Sequence, residues 1–253
     1  MSKHIIIGTG PLGLNVMDLL IEKGESVTLV NRSGVVHGKL PAGQKVAKVD
    51  VTNGDNVREI CRGADVVYLC AMPPYTDWVE GFPPIISGVI DGLSGTNTTL
   101  VFGDNLYMYG STNGEPIHEG LPYLAKSRKG ITRGKIAQML LDAGTQGKLN
   151  VQLLRGSDFF GPRVSNSSLG DVLFKAALAG KTINVLGNPD LVHSTTYIVD
   201  FAWAMILAGE NPQIKQSVFH VPNSENITMR KFVELVGREV GRPLKLRASG
   251  SSM

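Results

Sequence analysis

The chain has 253 residues, of which 42% are apolar and 19% charged, with 25 basic against 22 acidic residues for a formal net charge of +3. That balance excludes an intrinsically disordered chain, and the length suits one large α/β domain or a domain with a small appendage. The charges are spread along the sequence, so there is no concentrated patch for nucleic acid or anionic lipid. The N-terminal apolar run Ile5 to Ile7 is too short for a signal-peptide core or a membrane span of about 20 residues. A cytoplasmic protein without a membrane or nucleic-acid partner is expected.

Taken in chain order, short apolar runs alternate with amphipathic stretches, the pattern of a parallel sheet covered by helices on both faces. His4 to Ile7 reads as a strand and Leu12 to Lys23 as a helix. Between them lies Gly8-Thr9-Gly10-Pro11-Leu12-Gly13, which satisfies G-x-G-x-x-G directly after a strand and at the mouth of a helix. Gly8 permits the tight turn, Gly10 lets backbone approach a pyrophosphate, and Gly13 lets the helix lie close on the sheet. Pro11 falls in the first helical turn, where a missing N–H costs little and the other amides face the phosphates. The plain alternative is a tight βα turn with no ligand.

Ser26 to Val30 reads as the second strand and ends at Asn31-Arg32-Ser33. An NAD-specific fold places a carboxylate there for the ribose 2′-hydroxyl. Here Arg32 instead offers a planar, permanently charged fork to a 2′-phosphate, with Asn31 and Ser33 adding hydrogen bonds. NADP(H) is therefore preferred and NAD(H) stays possible, unless Arg32 is a solvated loop residue. Lys45 to Val49 reads as the third strand, followed by Asp50 and Val51. Asp50 is placed to meet the adenine edge or to cap the short helix Asn56 to Arg62.

Val66 to Cys70 reads as the fourth strand, leading into Ala71-Met72-Pro73, then a weaker helix at 79 to 93 and a strand at Thr98 to Phe102. A firm helix at Ile131 to Ala143 and a strand at Asn150 to Leu154 complete six strands, the number in a doubly wound Rossmann-type fold. Beyond residue 155, loops at Gly161-Pro162, Gly187-Asn188-Pro189 and Pro222-Asn223 break the chain into smaller pieces. Helices at 168 to 179, 198 to 208 and 228 to 239 and strands near 183 to 186, 217 to 221 and 244 to 246 are expected. The division expected is 1–155 as a dinucleotide-binding domain and 156–253 as a smaller substrate-binding lobe that partly rejoins it. Cys61 and Cys70 read as structural thiols. Histidines 4, 37, 118, 193 and 220 have no metal-like spacing, so no metal site is expected. Glu115 and Glu119, flanking His118, read as a solvated rim.

With the glycine turn, Cys70-Ala71-Met72-Pro73-Pro74, Phe102-Gly103-Asp104-Asn105-Leu106-Tyr107-Met108-Tyr109-Gly110, Leu154-Arg155-Gly156-Ser157-Asp158-Phe159-Phe160-Gly161-Pro162 and Tyr197-Ile198-Val199-Asp200-Phe201-Ala202 in order, the chain resembles the extended short-chain dehydrogenases/reductases, the NAD-dependent epimerase/dehydratase family. The resemblance implies cofactor contacts from Ala71, Met72, Pro73 and Ser157 and a Tyr-x-x-x-Lys pair on the helix at 131 to 143. Lys135 fits the lysine, but Ile131 stands where the proton-donating tyrosine is implied, and Asn105 stands for the usual Ser or Thr. The chain thus resembles the atypical members. Tyr107, on the same strand-end loop as Asn105, is the replacement proton donor or else a packing residue or substrate wall. Lys135 would contact the nicotinamide ribose or be a surface lysine. Asp104 and Asp158 are either acid–base groups or turn caps.

Two functions are implied by this resemblance. One is an NADP(H)-dependent oxidoreductase or epimerase-like enzyme acting on a carbonyl or alcohol, or on a sugar-nucleotide-like substrate, with Asn105, Tyr107 and Lys135 as its catalytic set. The other is a non-catalytic NADP(H)-binding sensor. Family members usually continue beyond Ala248-Ser249-Gly250-Ser251-Ser252-Met253, which implies a trimmed end or a minimal substrate cover. They often dimerise, and the apolar faces at 79 to 93 and 131 to 143 would permit a homodimer.

Overall fold

The computed structural model describes residues 2–36, 38–165, 167–214 and 217–250; His37 and residues 251–253 of the polar C-terminal segment lie outside the described residues. In chain order the first half holds β1 (Lys3–Ile7), α1 (Pro11–Glu22), β2 (Ser26–Asn31), β3 (Val46–Lys48), α2 (Gly54–Ile60), β4 (Val66–Leu69), α3 (Trp78–Leu93) and β5 (Thr99–Asn105). There follow α4 (Arg128–Thr145), β6 (Asn150–Gly156), β7 (Asp158–Phe160), α5 (Asp171–Leu178), β8 (Ile183–Leu186), β9 (Val192–His193) and β10 (Thr195–Tyr197). The chain finishes with α6 (Ile198–Gly209), β11 (Ser217–His220), β12 (Ile227–Thr228), α7 (Met229–Glu239) and β13 (Leu246–Ser249).

Two compact units result, the first from residues 1–155 and 201–221, the second from 156–200 and 222–253. Unit 1 is built on a seven-stranded sheet in the order β11-β6-β5-β4-β1-β2-β3. The pairs β1–β2, β1–β4, β2–β3, β4–β5 and β6–β11 run parallel. This is the doubly wound Rossmann-type α/β arrangement, with the strand order reversing between β1 and β4. The expected strand at 217 to 221 is its seventh strand, carried back to β6 by the return of the chain at residue 201.

One face of that sheet, with Ile5, Ile7, Val67, Leu69, Leu100 and Phe102, packs on Phe82, Ile86, Val89 and Leu93 of α3 and on Ile136, Ala137 and Leu140 of α4. The i, i+4, i+7, i+11 spacing in α3 presents one continuous stripe. Burying it offsets Pro83 and Pro84 inside the helix, where each proline removes a backbone bond. The apolar faces at 79 to 93 and 131 to 143, expected to permit a homodimer, are therefore taken up by the core of unit 1.

Several boundaries move outward because of caps. Ser127 Oγ accepts from Gly130 N and starts α4 three residues before the periodicity does, and Asn53 accepts from Asp55 N and Asn56 N to start α2 at Gly54. Strand β5 runs on through Gly103, Asp104 and Asn105, a polar stretch that hides a strand from its sequence pattern.

Unit 2 has its own small core of Leu169, Leu173, Ala177, Ile183, Val185, Phe232, Val233 and Val236, packed between α5, α7 and β8. Its strands form three pairs: β7–β10 and β8–β13 parallel, β9–β12 antiparallel. The final strand lies at Leu246–Ser249, later than the expected 244 to 246, and in register with Ile183–Leu186.

Candidate functional site

In unit 1 the singled-out residues Gly8 to Gly13, Asn31 to Ser33, Asp50 and Val51, Ala71 to Pro73, and Asn105 and Tyr107 fall at or just beyond the carboxyl ends of β1, β2, β3, β4 and β5. Ligands of open α/β sheets bind along that edge, at the point where the strand order reverses. The three glycines of the first turn are needed for different reasons. Gly8 has φ +111, and a Cβ on it would sit 2.5 Å from Ala71 N at the end of β4. A Cβ on Gly13 would collide with Gly8 O, whereas one on Gly10 would meet nothing within 4 Å. Gly8 and Gly13 are thus demanded by packing, and Gly10 leaves open space over the helix mouth. There α1 begins with Gly10 as a cap that has no side-chain acceptor and Pro11 at its first turn, so the first-turn amides lack an intrahelical partner. These features fit a pyrophosphate.

At the end of β2, Asn31 is committed to the protein. Its Nδ2 donates to Thr9 Oγ1 at 2.7 Å and to Val35 O at 2.8 Å, and its Oδ1 accepts from Gly34 N at 2.6 Å. It ties the glycine turn to the loop after β2, and its donors are spent, contrary to the expectation that it would serve a 2′-phosphate. Ser33 Oγ is likewise engaged with Asn31 Oδ1 and Val35 O, each at 3.2 Å. Arg32 is exposed. Asp50 Oδ1 accepts from Thr52 N and Thr52 Oγ1; these bonds are the main reason its carboxyl is held below the usual carboxylate range. Asn53, and not Asp50, caps α2.

The carboxyl end of β5 is anchored from beneath. Asp104, fully buried, accepts from Arg133 Nε at 2.9 Å and from Arg133 Nη2 on one oxygen, and from Arg155 Nε at 3.1 Å on the other. Arg155 also donates to the hydroxyls of Tyr109 and Tyr123, and Tyr109 Oη meets His220 Nε2 at 2.8 Å. The Arg133 guanidinium faces the rings of Trp78, Phe82 and Phe102 at 5.5, 4.7 and 5.2 Å. Asp104 is thus a buried anchor and presents no free carboxylate for acid–base work. Sequence reasoning missed Arg133 because only its burial distinguishes it from a surface helix residue.

Above the anchor, Asn105 Oδ1 accepts from Tyr107 N at 3.1 Å and shapes the turn that exposes Tyr107. A Cβ on Gly130 would lie 2.6 Å from Tyr107 O, so this glycine lets the first turn of α4 settle onto the loop. On α4, Ile131 and Lys135 lie one turn apart and both are exposed. Among the described residues neither a hydrogen bond nor an ion pair holds Lys135.

Ser157 stands in unit 2, where its N–H donates to Thr196 Oγ1 at 2.9 Å and its hydroxyl meets the same atom at 3.1 Å. Thr196 in turn donates to Asn223 Oδ1. Asp158 Oδ2 pairs with His193 Nε2 at 2.7 Å, a contact between β7 and β9 that spacing could not reveal. Glu119 is more than a rim residue, since it accepts from His220 N at 2.8 Å. Burial pushes the Cys61 thiol up to about 12, as befits a structural cysteine. Among the described residues no group of three or more His, Cys, Asp or Glu could hold a metal ion, and no helix is long and apolar enough to cross a membrane. A cleft of about 780 Å3 lies at the opposite, amino-terminal ends of the strands, around His4, Asp65 and Thr98; it has no share in the glycine turn.

Fold and strand order together define a Rossmann-type α/β protein. The chain belongs to the NAD dependent epimerase/dehydratase family, whose model matches residues 91–221, just over half of its length. Its structure is similar to that of UDP-N-acetylglucosamine 4-epimerase from Bacillus cereus, with a TM-score of 0.85 and 16% identity over 99% of this chain and 86% of that one. UDP-glucuronic acid 4-epimerase from Bacillus cereus in complex with NAD gives 0.84 and 16% over 98% and 87%. UDP-N-acetylglucosamine 4-epimerase from Methanobrevibacter ruminantium M1, in complex with UDP-N-acetylmuramic acid, gives 0.83 and 18% over 100% and 87%. No curated protein sequence matches the chain.

Proposed function

We propose that the chain is an NADP(H)-dependent oxidoreductase or epimerase-like enzyme that acts on a carbonyl or alcohol carbon. The observation that carries this reading is the open face at Gly10 over the uncapped mouth of α1, together with Arg32, and no carboxylate, beyond β2. The pyrophosphate would rest on the amides of residues 10–13, and Arg32 would take the 2′-phosphate without help from Asn31. Ala71 to Pro73 would flank the nicotinamide and Lys135 would reach its ribose. A bound NADPH supplies a hydride. The chain must then deliver the proton: Ile131 has none to give, and the exposed phenol of Tyr107 is the donor in this reading, on a turn set by Asn105.

Residues 1–155, rejoined by 201–221, would form the cofactor domain, and the rest of 156–253, including Ser157, the substrate lobe. A cytoplasmic location belongs to the same proposal, as does any self-association, which would use the exposed Ile131 side of α4. Calorimetry with NADPH and NADH tests the reading directly. Parent protein should favour NADPH, and Arg32→Ala should weaken NADPH by about 10- to 100-fold, the worth of a charge-assisted hydrogen bond, with little change for NADH. Equal binding of the two nucleotides by the parent would overturn the NADP preference. A second reading, a non-catalytic NADP(H) sensor, is favoured by Ile131 alone; tight NADPH binding with no oxidation of it by any of a panel of ketones and aldehydes would select it.

A further inference from the structure

Three aromatic rings stand side by side at the carboxyl ends of β4 and β5. Tyr75 meets Trp78 edge to face at 5.0 Å, and Trp78 meets Tyr107 at 5.7 Å. Trp78 is only 3% exposed, while the outer rings are 54% and 42% exposed. Large aromatic faces left in water beside a buried tryptophan are costly to keep in that state. Met72, Pro73 and Pro74 precede the strip without polar side chains, and Thr76 and Asp77, between Tyr75 and Trp78, are exposed and hydrogen-bonded to each other. Trp78 Nε1 is buried and has no acceptor within the protein, so the indole contributes to the strip through its ring contacts with Tyr75 and Tyr107.

The charge at this strip is equally specific. Lys129 Nζ lies 3.0 Å from the centroid of the Tyr75 ring, and among the described residues no carboxylate pairs with it. Arg128, its neighbour, is instead engaged with Glu80 at 3.6 Å. Lys129 is therefore an unneutralised cation held against the aromatic surface by its π face.

We infer that Tyr75, Trp78, Tyr107 and Lys129 form a substrate subsite for a planar aromatic ring bearing a carboxylate, so that the substrate class is an aryl keto acid or the corresponding hydroxy acid. The ring stacks on the exposed tyrosines and the carboxylate pairs with Lys129. The chemical step rests on the proposed NADP(H)-dependent function: a hydride from NADPH adds to the carbonyl carbon, a proton adds to its oxygen, and NADPH leaves as NADP+.

The test is a fluorescence titration of the full chain carrying Trp203→Phe, which leaves Trp78 as its only tryptophan, with and without saturating NADP+. The probes are benzoylformate, pyruvate, acetophenone and UDP-glucose. Benzoylformate should quench saturably and bind at least about tenfold more tightly than pyruvate or UDP-glucose, the scale of one stacking contact. Lys129→Gln should weaken benzoylformate about tenfold, as expected for loss of a charge-assisted contact, and leave acetophenone unchanged. Lys129→Arg should retain the affinity, and Tyr75→Ala should weaken both aromatic probes. Pyruvate or UDP-glucose binding as tightly as benzoylformate, no binding of benzoylformate under either condition, or indifference of both variants would overturn the subsite. Failure of both nucleotides in calorimetry while benzoylformate still quenches would instead remove the hydride-transfer reading and leave the subsite standing.

Discussion

Asp104 in unit 1 and Asp158 in unit 2 each meet a cation, in opposite surroundings. The Asp104 side chain has no exposure and is shared by two guanidiniums that are themselves buried. Asp158 is 42% exposed and meets a half-exposed imidazole. Inside the protein the attraction is strong but the loss of hydration is large, so the cluster persists only because every partner is present. At the surface water screens both effects, and the pair is adjustable. The contrast separates the two kinds of charge in this chain: one fixes the end of β5 beneath Asn105 and Tyr107, the other can change with pH.

The largest effect should come from the buried side. Asp104→Ala leaves Arg133 and Arg155 without their carboxylate and should cost about 3–5 kcal/mol, as does breaking a buried ion pair, read from urea denaturation. A loss below about 1 kcal/mol, the size of a surface pair, would mean that the aromatic rings around Arg133 and the two phenols on Arg155 already satisfy those cations. A neutral anchor sharpens the comparison from the middle. Asn31→Ala removes the amide that joins Thr9, Val35 and Gly34 and should cost about 1–3 kcal/mol through the groups left unpaired. Calorimetry should also find NADPH bound more weakly, since the glycine turn loses its tie to the β2 loop; unchanged affinity would separate turn geometry from that tie.

The same contrast explains what the sequence made legible. The β1 turn was readable because each glycine answers a local need: a positive φ at Gly8, a close helix at Gly13, an open face at Gly10. Strands β1, β4 and β6 were legible in chain order because they are short apolar runs buried almost throughout. The extension of β5 through Asp104 was not readable, because a carboxylate in a strand looks like the end of it until two arginines, 29 and 51 residues away, are brought to it by folding. The part played by Asn31 was not readable for a related reason: its place at the end of β2 follows from the sequence, but only folding shows that its donors are claimed by Thr9 and Val35. Likewise Trp78 and Tyr75, three positions apart, become a strip with Tyr107 only when β4 and β5 lie side by side.

The smallest effect belongs to the exposed pair, and its direction with pH can be fixed in advance. The hydrogen bond to Asp158 raises the His193 imidazole above its ordinary value, against a smaller opposing effect of burial. A group raised on folding stabilises fully below its unfolded pKa of about 6.5 and loses that contribution as pH rises through the higher folded value. His193→Gln should therefore lower stability relative to the parent at pH 5.5 but not at pH 9, by less than about 1 kcal/mol because water screens the pair. Salt should shrink the difference further. Urea denaturation of both proteins at the two pH values, taken as a difference, removes the contributions of His4 and His220, whose pKa values are lowered mainly by burial. A deficit of the same size at pH 9 would mean that the Asp158 contact holds β9 by shape or a neutral hydrogen bond, and the distinction between an adjustable surface pair and a fixed buried one would not apply to this site.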